Sequence, residues 1–314
     1  MKRILRYVSD IHLEMFREST GGDQLQKIEG LFKFEREADT RYFLAIPGDI
    51  GTVETLGKLF EKVSPVYERI FYVPGNHEYY NKSSKKDYIQ TMDEIANKLQ
   101  QLCQSYTNIV YLDNNIFELD EYRIIGSTFW TKVGKAESHL VLTGMNDYRR
   151  IYIKSDDDEE EETTATKTTT TTTTNKVEDE TTKEKEKNNV RLLNFDDTNR
   201  LHEAAVRFVS GALKFTPPGF KNIVLTHHAP LPSNPAKNQF TSHPRFIGQP
   251  QNTAFHSDQS TLISKESSAL KAWIFGHTHH SCKFHYNQVL ITSNQHGYLF
   301  EQTGFDINDF ILLD

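Results

Sequence analysis

The chain has 314 residues, of which 37% are hydrophobic and 11% aromatic, enough for a sizeable core in one large domain or two ordinary ones. The formal net charge is −7, but residues 154–189 hold 12 acidic and 6 basic residues. The remaining chain is therefore nearly neutral and lacks the clustered basic footprint of a nucleic-acid-binding protein. With two cysteines and no apolar run of about 18 residues, a disulfide framework and a membrane span are excluded, and we expect a cytoplasmic protein.

Strands and helices alternate along the chain. The opening segment MKRILRYVSD predicts a strand, and because this strand starts at once we expect no signal peptide. Apolar residues at Val53, Leu56, Phe60 and Val63 have the spacing of an amphipathic helix. In chain order, the predicted elements are the strands ILRYVSD and YFLAIPGD, a helix over 52–67, the strand RIFYVPGN, a helix over 86–105, the strand NIVYLD, a hairpin in IFELDEYRIIGSTFW, a helix over 197–213, the strand NIVLTHHAP, a short helix over 259–263, the strand AWIFGHTH and a hairpin in KFHYNQVLITSN.

A low-complexity segment at about residues 154–190 interrupts this order. Between Lys154 and Asn189 it contains an acidic run, a threonine tract and alternating charges, and Val177 is the one large aliphatic residue there. Ordering it would cost roughly 1–2 kcal/mol per residue in backbone entropy, with almost no burial to offset that cost. We therefore expect a disordered insertion. A linker between two domains is the alternative, but candidate site residues on both sides favour a single domain over residues 1–314.

Five predicted strands end in residues that can bind a metal ion. The element order favours an α/β layered fold with mixed sheets, and sites in such folds collect at the carboxyl ends of strands. Singly, each strand end is also typical of a polar turn or cap, although His277 and His279 point the same way in an extended segment. The five strand ends are SDIH (Asp10, His12), PGDIG (Asp49), PGNHE (Asn76, His77), THHAP (His227, His228) and GHTHH (His277, His279, His280).

Together these residues predict a site for two metal ions. Mixed nitrogen and oxygen ligands without a thiolate suit Mn²⁺, Fe or Zn²⁺ better than Ca²⁺. If seven of these ten side chains are ligands, and one of the seven is a carboxylate that can bridge, the set suits two ions rather than one. Two ions about 3.5–4 Å apart stabilise both the attacking and the leaving oxygen of a phosphoryl displacement.

In their order, the five blocks resemble the calcineurin-like metallophosphoesterase superfamily. The matching residues are Asp10-x-His12, Gly48-Asp49, Gly75-Asn76-His77-Glu78, His227 and Gly276-His277-x-His279. The segments MNDYRRI, FHSDQSTLI and SNQHGY resemble a less characterised branch found in bacteria, phages and some simple eukaryotes. The resemblance implies a four-layer α/β fold in which two mixed β-sheets pack face to face and are flanked by helices.

The resemblance also implies a role for each matched residue. One divalent ion would be held by Asp10, His12, Asp49 and His279; Asp49 would bridge to a second ion, held also by Asn76, His227 and His277. We expect Mn²⁺, with Fe or Zn²⁺ as alternatives. His77 would be the general acid that protonates the leaving oxygen, or would stabilise the transferring phosphoryl group. The implied reaction is direct attack of a metal-bridging hydroxide on a phosphomonoester or phosphodiester, without a phosphoenzyme.

The chain departs from the protein phosphatases of that superfamily. Their second block reads Gly-Asp-x-Val-Asp-Arg-Gly and two glycines follow their fourth histidine, whereas this chain has GDIGTVE and HHAP. The carboxylate that orients their acid histidine is missing from its usual place, and Glu78 and Asp147 are candidates to replace it. We expect substrate contacts from Asp147, Arg149, His228 and Asn294; a guanidinium such as that of Arg149 pairs bidentately with phosphate.

The expected function is hydrolysis of a small phosphorylated molecule or a nucleotide. A nuclease with the same five blocks is one alternative, and the nearly neutral composition argues against it. A non-catalytic binding module on the same fold is another, and the intact ligand blocks argue against it.

Overall fold

The computed structural model describes residues 1–16, 29–85, 88–155 and 189–313. Its first sheet has the strand order β13-β1-β2-β3-β4. The strands are β1 (Lys2–Tyr7), β2 (Thr40–Pro47), β3 (Arg69–Val73), β4 (Ile109–Tyr111) and β13 (Phe310–Leu312). The four N-terminal strands are parallel and β13 is antiparallel to β1. The carboxyl ends of β1, β2 and β3 therefore lie at one edge.

The second sheet has the order β11-β12-β10-β9-β6-β5. The strands are β5 (Asn115–Leu119), β6 (Tyr122–Ser127), β9 (Lys221–Thr226), β10 (Leu270–Ile274), β11 (Cys282–Tyr286) and β12 (Val289–Ser293). The inner four are parallel, while β5 and β11 pair antiparallel at the edges. The mixed sheets predicted from the element order are thus confirmed, as are hairpins that turn at Asp120 and at Asn287–Gln288, with positive φ angles.

The two sheets pack face to face, and helices cover their outer faces. One buried cluster joins the facing surfaces of both sheets and includes Leu5, Phe43, Phe71, Ile124, Ile223 and Ile274. Helices α1 (Val53–Val63) and α2 (Met92–Gln104) bury their apolar stripes against the outer face of the first sheet. Helices α5 (Phe195–Lys214) and α6 (Ser260–Glu266) do the same on the second. This is the expected four-layer arrangement.

Two predicted helices are shorter than the apolar pattern suggested. Helix α1 ends at Val63 rather than at residue 67, because Pro65 has no N–H to donate to the carbonyl four residues earlier. Helix α2 begins at Met92, since Thr91 accepts a hydrogen bond from the Glu94 N–H and the Glu94 carboxylate accepts one from Thr91. This capping box satisfies two of the first free N–H groups, which fixes where the helix starts.

The ends of the low-complexity segment are paired strands. Strand β7 (Tyr152–Lys154) pairs antiparallel with β8 (Val190–Leu192), with Lys154 opposite Val190. The predicted insertion at about 154–190 therefore begins and ends on strand residues, and its middle, 156–188, lies outside the described residues. Helices α3 (Ser138–Gly144) and α4 (Asp147–Arg150) precede this hairpin. No helix in the described ranges has both the length and the apolar character needed to cross a membrane.

Candidate metal centre

The loops that follow β1, β2, β3, β9 and β10 meet at one edge of the two sheets. All seven predicted metal ligands lie in these loops and converge there. Five of them have left-handed backbone angles, with φ between 48° and 71°: Asp10, His12, Asp49, His277 and His279. Such angles cost energy for residues other than glycine and cluster at functional sites. Backbone hydrogen bonds hold the turns, including Asp10 N–H to Gly48 O at 3.0 Å and His12 N–H to Asp49 O at 3.1 Å.

A first group consists of Asp10, His12 and His279, whose potential ligand atoms all lie within 4.8 Å of one another. Nδ1 of His12 lies 3.2 Å from Glu14 Oε1, and Nδ1 of His279 lies 2.5 Å from Glu301 Oε2. These carboxylates turn both Nε2 atoms towards each other, 2.9 Å apart. Two nitrogens at that distance share either a proton or a metal ion, and the Asp10 carboxylate lies beside them, 3.7 Å from His279 Nε2.

A second group consists of Asp49, His227 and His277, joined by the side-chain oxygen of Asn76. Nδ1 of His227 lies 2.9 Å from the Pro47 carbonyl, which can only accept, so Nδ1 carries the proton. Its Nε2 then presents a lone pair to Asn76 Oδ1 at 2.9 Å and to Asp49 Oδ1 at 3.3 Å. Lone pairs that converge without a proton fit a metal ion.

Asp147 fixes the direction of the Asn76 amide. Its Oδ1 accepts hydrogen bonds from Asn76 Nδ2 at 2.7 Å and from the Tyr80 hydroxyl at 2.5 Å. The Asn76 amide nitrogen therefore faces Asp147, and its oxygen faces His227. Asp147 is buried behind this ligand, so the structure gives it a positioning contact rather than the expected substrate contact.

Asp49 lies between the two groups. Its Oδ1 is 3.3 Å from His227 Nε2, and its Oδ2 is 3.9 Å from His12 Nε2. One carboxylate thus reaches both groups, which is the geometry that a bridging ligand requires. The potential ligand atoms of His77, His12 and Asp49 also lie within 4.8 Å of one another. His77 Nε2 is 4.0 Å from Asp49 Oδ2.

Burial dominates the electrostatics of these residues. It raises the pKa of Asp10 to about 6 and raises the pKa of Asp49 well above its usual range. It lowers the pKa of His12 to about 4 and holds the pKa of His227 well below its usual value, so both imidazoles are neutral near pH 7. Closely spaced buried carboxylates are costly to ionise without a counter-charge, which a divalent cation supplies, and the neutral imidazoles offer that cation their lone pairs.

Glu14 is the carboxylate that orients His77, and sequence reasoning missed it. Its Oε1 lies 3.0 Å from His77 Nδ1 and also accepts from His12 Nδ1. Burial would raise the pKa of Glu14, but the hydrogen bonds from the two imidazoles outweigh it and lower the pKa to about 2. Glu14 is therefore an ionised acceptor shared by both histidines. The signal available in the sequence was its position two residues after His12, in SDIHLE.

Glu78, one of the two residues expected to orient His77, has a different role. Its carboxylate accepts hydrogen bonds from the backbone N–H groups of Asp49 at 3.0 Å, Ile50 at 2.7 Å and Gly75 at 2.7 Å. It therefore ties together the loops that follow β2 and β3. The other candidate, Asp147, is engaged with Asn76 and Tyr80. Neither replaces Glu14.

A cleft of about 470 Å³ opens onto the centre. Besides Asp49, Asn76, His77, His277 and His279, the side chains that line it include Tyr80, Met145, Arg245, Phe246, Phe255, Tyr298 and Phe300. Tyr298 lies across the metal centre: its ring centroid is 4.6 Å from those of His12 and His279, and its hydroxyl is 3.5 Å from His77 Nε2. The aromatic residues were not identified as site residues from the sequence.

The structure does not bring the other predicted substrate residues to this cleft. Arg149 is exposed, bonds to Asn146 at 3.1 Å and lines a separate depression with Arg150. His228 is buried beside His277, with Nδ1 3.1 Å from the Thr128 carbonyl. Asn294 is also buried and donates hydrogen bonds from Nδ2 to the carbonyls of Tyr7 and Asp306. His228 and Asn294 are thus held by hydrogen bonds inside the fold, and Arg149 lies on a different surface.

Comparisons with known proteins give a family match, a relative and a similar solved structure. The family model for calcineurin-like phosphoesterases matches residues 6–281. The uncharacterized protein L509 of Acanthamoeba polyphaga mimivirus is 34% identical over 314 residues, covering 99% of this chain and 97% of that protein. The crystal structure of a phosphopantetheinyl hydrolase from Mycobacterium tuberculosis is similar with a TM-score of 0.59 at 14% identity, covering 95% of this chain and 90% of that one.

Proposed function

The chain belongs to the calcineurin-like phosphoesterase family and is a metal-dependent phosphoric ester hydrolase, and from that premise we propose that it hydrolyses a small phosphorylated molecule or a nucleotide at two divalent metal ions. The convergence of two sets of lone-pair donors on either side of Asp49 carries the proposal. The cleft above them, about 470 Å³, is within the size range of small-molecule sites.

The proposed ligand sets follow the two groups. Asp10, His12, Asp49 and His279 would hold one ion, and Asp49, Asn76, His227 and His277 the other. Mn²⁺ is the proposed metal, with Fe or Zn²⁺ as alternatives, because imidazole and carboxylate ligands without thiolate suit these ions. Bound ions of this kind lower the pKa of a coordinated water towards about 7 and neutralise charge on phosphoryl oxygens.

His77 is the proposed general acid. It lines the cleft, and its Nδ1 is held by the Glu14 carboxylate at 3.0 Å. The proton that can be transferred is therefore the one on Nε2, and an adjacent carboxylate stabilises the protonated ring that donates it. Direct hydrolysis without a phosphoenzyme belongs to the same proposal.

The decisive experiment combines metal analysis with hydrolysis assays on the purified full chain. We expect two divalent ions per chain after loading with Mn²⁺, and turnover of p-nitrophenyl phosphate or of its bis ester, which separates monoesterase from diesterase activity. Nucleoside monophosphates, sugar phosphates and 4′-phosphopantetheine extend the panel, and activity on DNA alone would favour a nuclease instead.

The variant Asp49→Asn tests the bridging residue directly. It should lose at least one ion and nearly all activity, because an amide bridges two cations poorly. Asp93→Asn, an exposed aspartate in α2, makes the same chemical change away from the centre and should keep both ions and full activity. A wild-type chain that binds no metal and hydrolyses no member of the panel would refute the proposal.

We also propose a cytoplasmic location. Both cysteines are free, with Cys103 buried in α2 and Cys282 half-buried in β11. Reduced thiols are usual in that compartment. Fractionation of cells that produce the chain, followed by immunodetection, tests this location.

A further inference from the structure

One wall of the cleft is a series of planar side chains that starts at the metal centre. The Phe255 ring packs on the His277 ring, with centroids 4.9 Å apart and planes at 33°. The Phe246 ring is nearly parallel to that of Phe255, at 10° with centroids 6.3 Å apart. The Arg245 guanidinium covers the Phe246 ring, with Cζ 4.5 Å from its centroid. The series therefore leads from a proposed metal ligand, through two phenyl rings, to a cation.

These rings do not belong to the closed core. Phe246 and Phe255 are half-buried, both line the cleft, and they lie at or next to short 3-10 helices, Pro244–Phe246 and Pro250–Ala254. Phe300, which also lines the cleft, is 84% exposed. Apolar rings left exposed at a concave site next to polar reactive groups are typical of a ligand-binding wall.

The length of the series indicates the shape of the leaving group. In a simple aryl phosphate the ring adjoins the ester oxygen, so with its phosphate at the metal centre such a ring would reach Phe255, which touches His277. Phe246 lies one ring beyond Phe255 in the series that starts at His277, so only a longer substrate would reach it. In a nucleoside phosphate, the ribose separates the phosphate from the planar base by about that additional step. Bases stack on aromatic side chains and on guanidinium planes.

We propose that Phe255, Phe246 and Arg245 form a subsite that stacks a nucleobase, so that the preferred substrate is a nucleoside phosphate. This assignment rests on the proposed function, since it requires the scissile phosphate to bind at the metal centre. Phe255 continues the ring series next to His277, and the base would stack on the planar surface that Phe246 forms together with the Arg245 guanidinium that covers it. A base that stacks on carbon rings and a guanidinium needs no particular hydrogen-bonding edge, so the subsite selects for planarity.

The test compares adenosine 5′-monophosphate with ribose 5-phosphate, which is the same ester without the base. For the Mn²⁺-loaded wild type, we expect kcat/KM to be higher for the nucleotide by roughly tenfold or more, within the range of base–aromatic stacking. Phe246→Leu keeps an apolar side chain but removes the planar face, and should lower that ratio about tenfold. Phe246→Trp should preserve it. Phe215→Leu, at an exposed phenylalanine that follows α5, is the matched control and should leave the ratio unchanged.

The outcomes separate this inference from the proposed function. A wild type that hydrolyses p-nitrophenyl phosphate but shows no preference for the nucleotide over ribose 5-phosphate overturns the subsite and leaves the phosphoesterase assignment standing. A ratio that Phe246→Leu leaves unchanged also overturns it, because stacking on Phe246 would then contribute nothing. Absence of hydrolysis of every ester, with metal bound or not, would instead count against the proposed function.

Discussion

Replacement of Glu14 by glutamine tests the most specific feature of the metal centre. One oxygen of Glu14 accepts from Nδ1 of both His12 and His77, at 3.2 and 3.0 Å. The glutamine side chain would have nearly the same shape, but its amide is neutral and can direct its NH₂ group at either imidazole. Both histidines would then lose the ionised acceptor that fixes their tautomers. His12 is a proposed metal ligand and His77 is the proposed general acid, so both functions should suffer.

The size of the effect follows from those two hydrogen bonds. A hydrogen bond to a charged group contributes about 1.5–3 kcal/mol, and each 1.36 kcal/mol corresponds to about a factor of ten in rate or affinity. Loss of a carboxylate behind a ligating histidine typically lowers metal affinity or activity about 10–100-fold. We therefore expect E14Q to lower kcat for p-nitrophenyl phosphate by about 10–100-fold at saturating Mn²⁺, and to weaken the binding of one ion.

The assay is steady-state hydrolysis over a Mn²⁺ titration, with metal content measured on the same samples. Glu54→Gln is the matched control, because Glu54 is an exposed residue of α1 whose ion pair with Lys58 lies on the helix surface. If E14Q retains the kcat and the Mn²⁺ dependence of E54Q, then Glu14 does not orient the two histidines and the assignment is wrong.

Three further predictions concern the same centre. His77→Ala should lower kcat about 10²–10⁴-fold, which is the usual contribution of a general acid, while metal analysis still finds both ions. Loss of an ion from this variant would show that His77 is a ligand. Gly75→Ala should reduce metal content and activity, because its Cβ would lie 2.6 Å from Asp49 N. Gly211→Ala is the control: no atom lies within 4 Å of its new Cβ, so the temperature of thermal unfolding should stay the same or rise. Acidification from pH 7 to 5 should weaken metal binding, because burial raises the pKa of Asp10 to about 6 in the metal-free centre and binding requires its deprotonated form. Mn²⁺ titrations at stepped pH, with metal analysis, check this, and an affinity that is unchanged at pH 5 would contradict it.

The convergence of the proposed ligands was predictable because it follows from strand order. Buried apolar runs mark the strands, and parallel strands bring their carboxyl ends to one edge. Asp10, Asp49 and Asn76 each come a few residues after such a run, so the sequence places them together without further information. The order of the elements also predicted mixed sheets, whereas the arrangement of two facing sheets covered by helices was implied by the family resemblance.

The residues around the ligands were harder to predict, because their roles depend on direction rather than position. Glu14 reaches His77 across 63 residues, and Glu301 reaches His279 across 22, by contacts that no local pattern encodes. Asp147 was predicted at the site and is there, but its carboxylate points at the Asn76 amide instead of the cleft. Arg149 is two residues further on in the short helix α4 and points to a different surface.

Backbone conformation limits which side chains can replace the proposed ligands. Asp49, with φ of 54°, and His277, with φ of 71°, sit in left-handed turns, which cost about 1–2 kcal/mol for most residues and less for Asp and Asn. The buried strands on which these turns are built, and the backbone bonds that close them, hold the strained angles in place. A replacement at Asp49 must therefore tolerate the same φ before its ligand chemistry can be compared. Asn meets that condition and Ala does not, which is why Asp49→Asn isolates the loss of charge, whereas Asp49→Ala would combine it with strain in the turn.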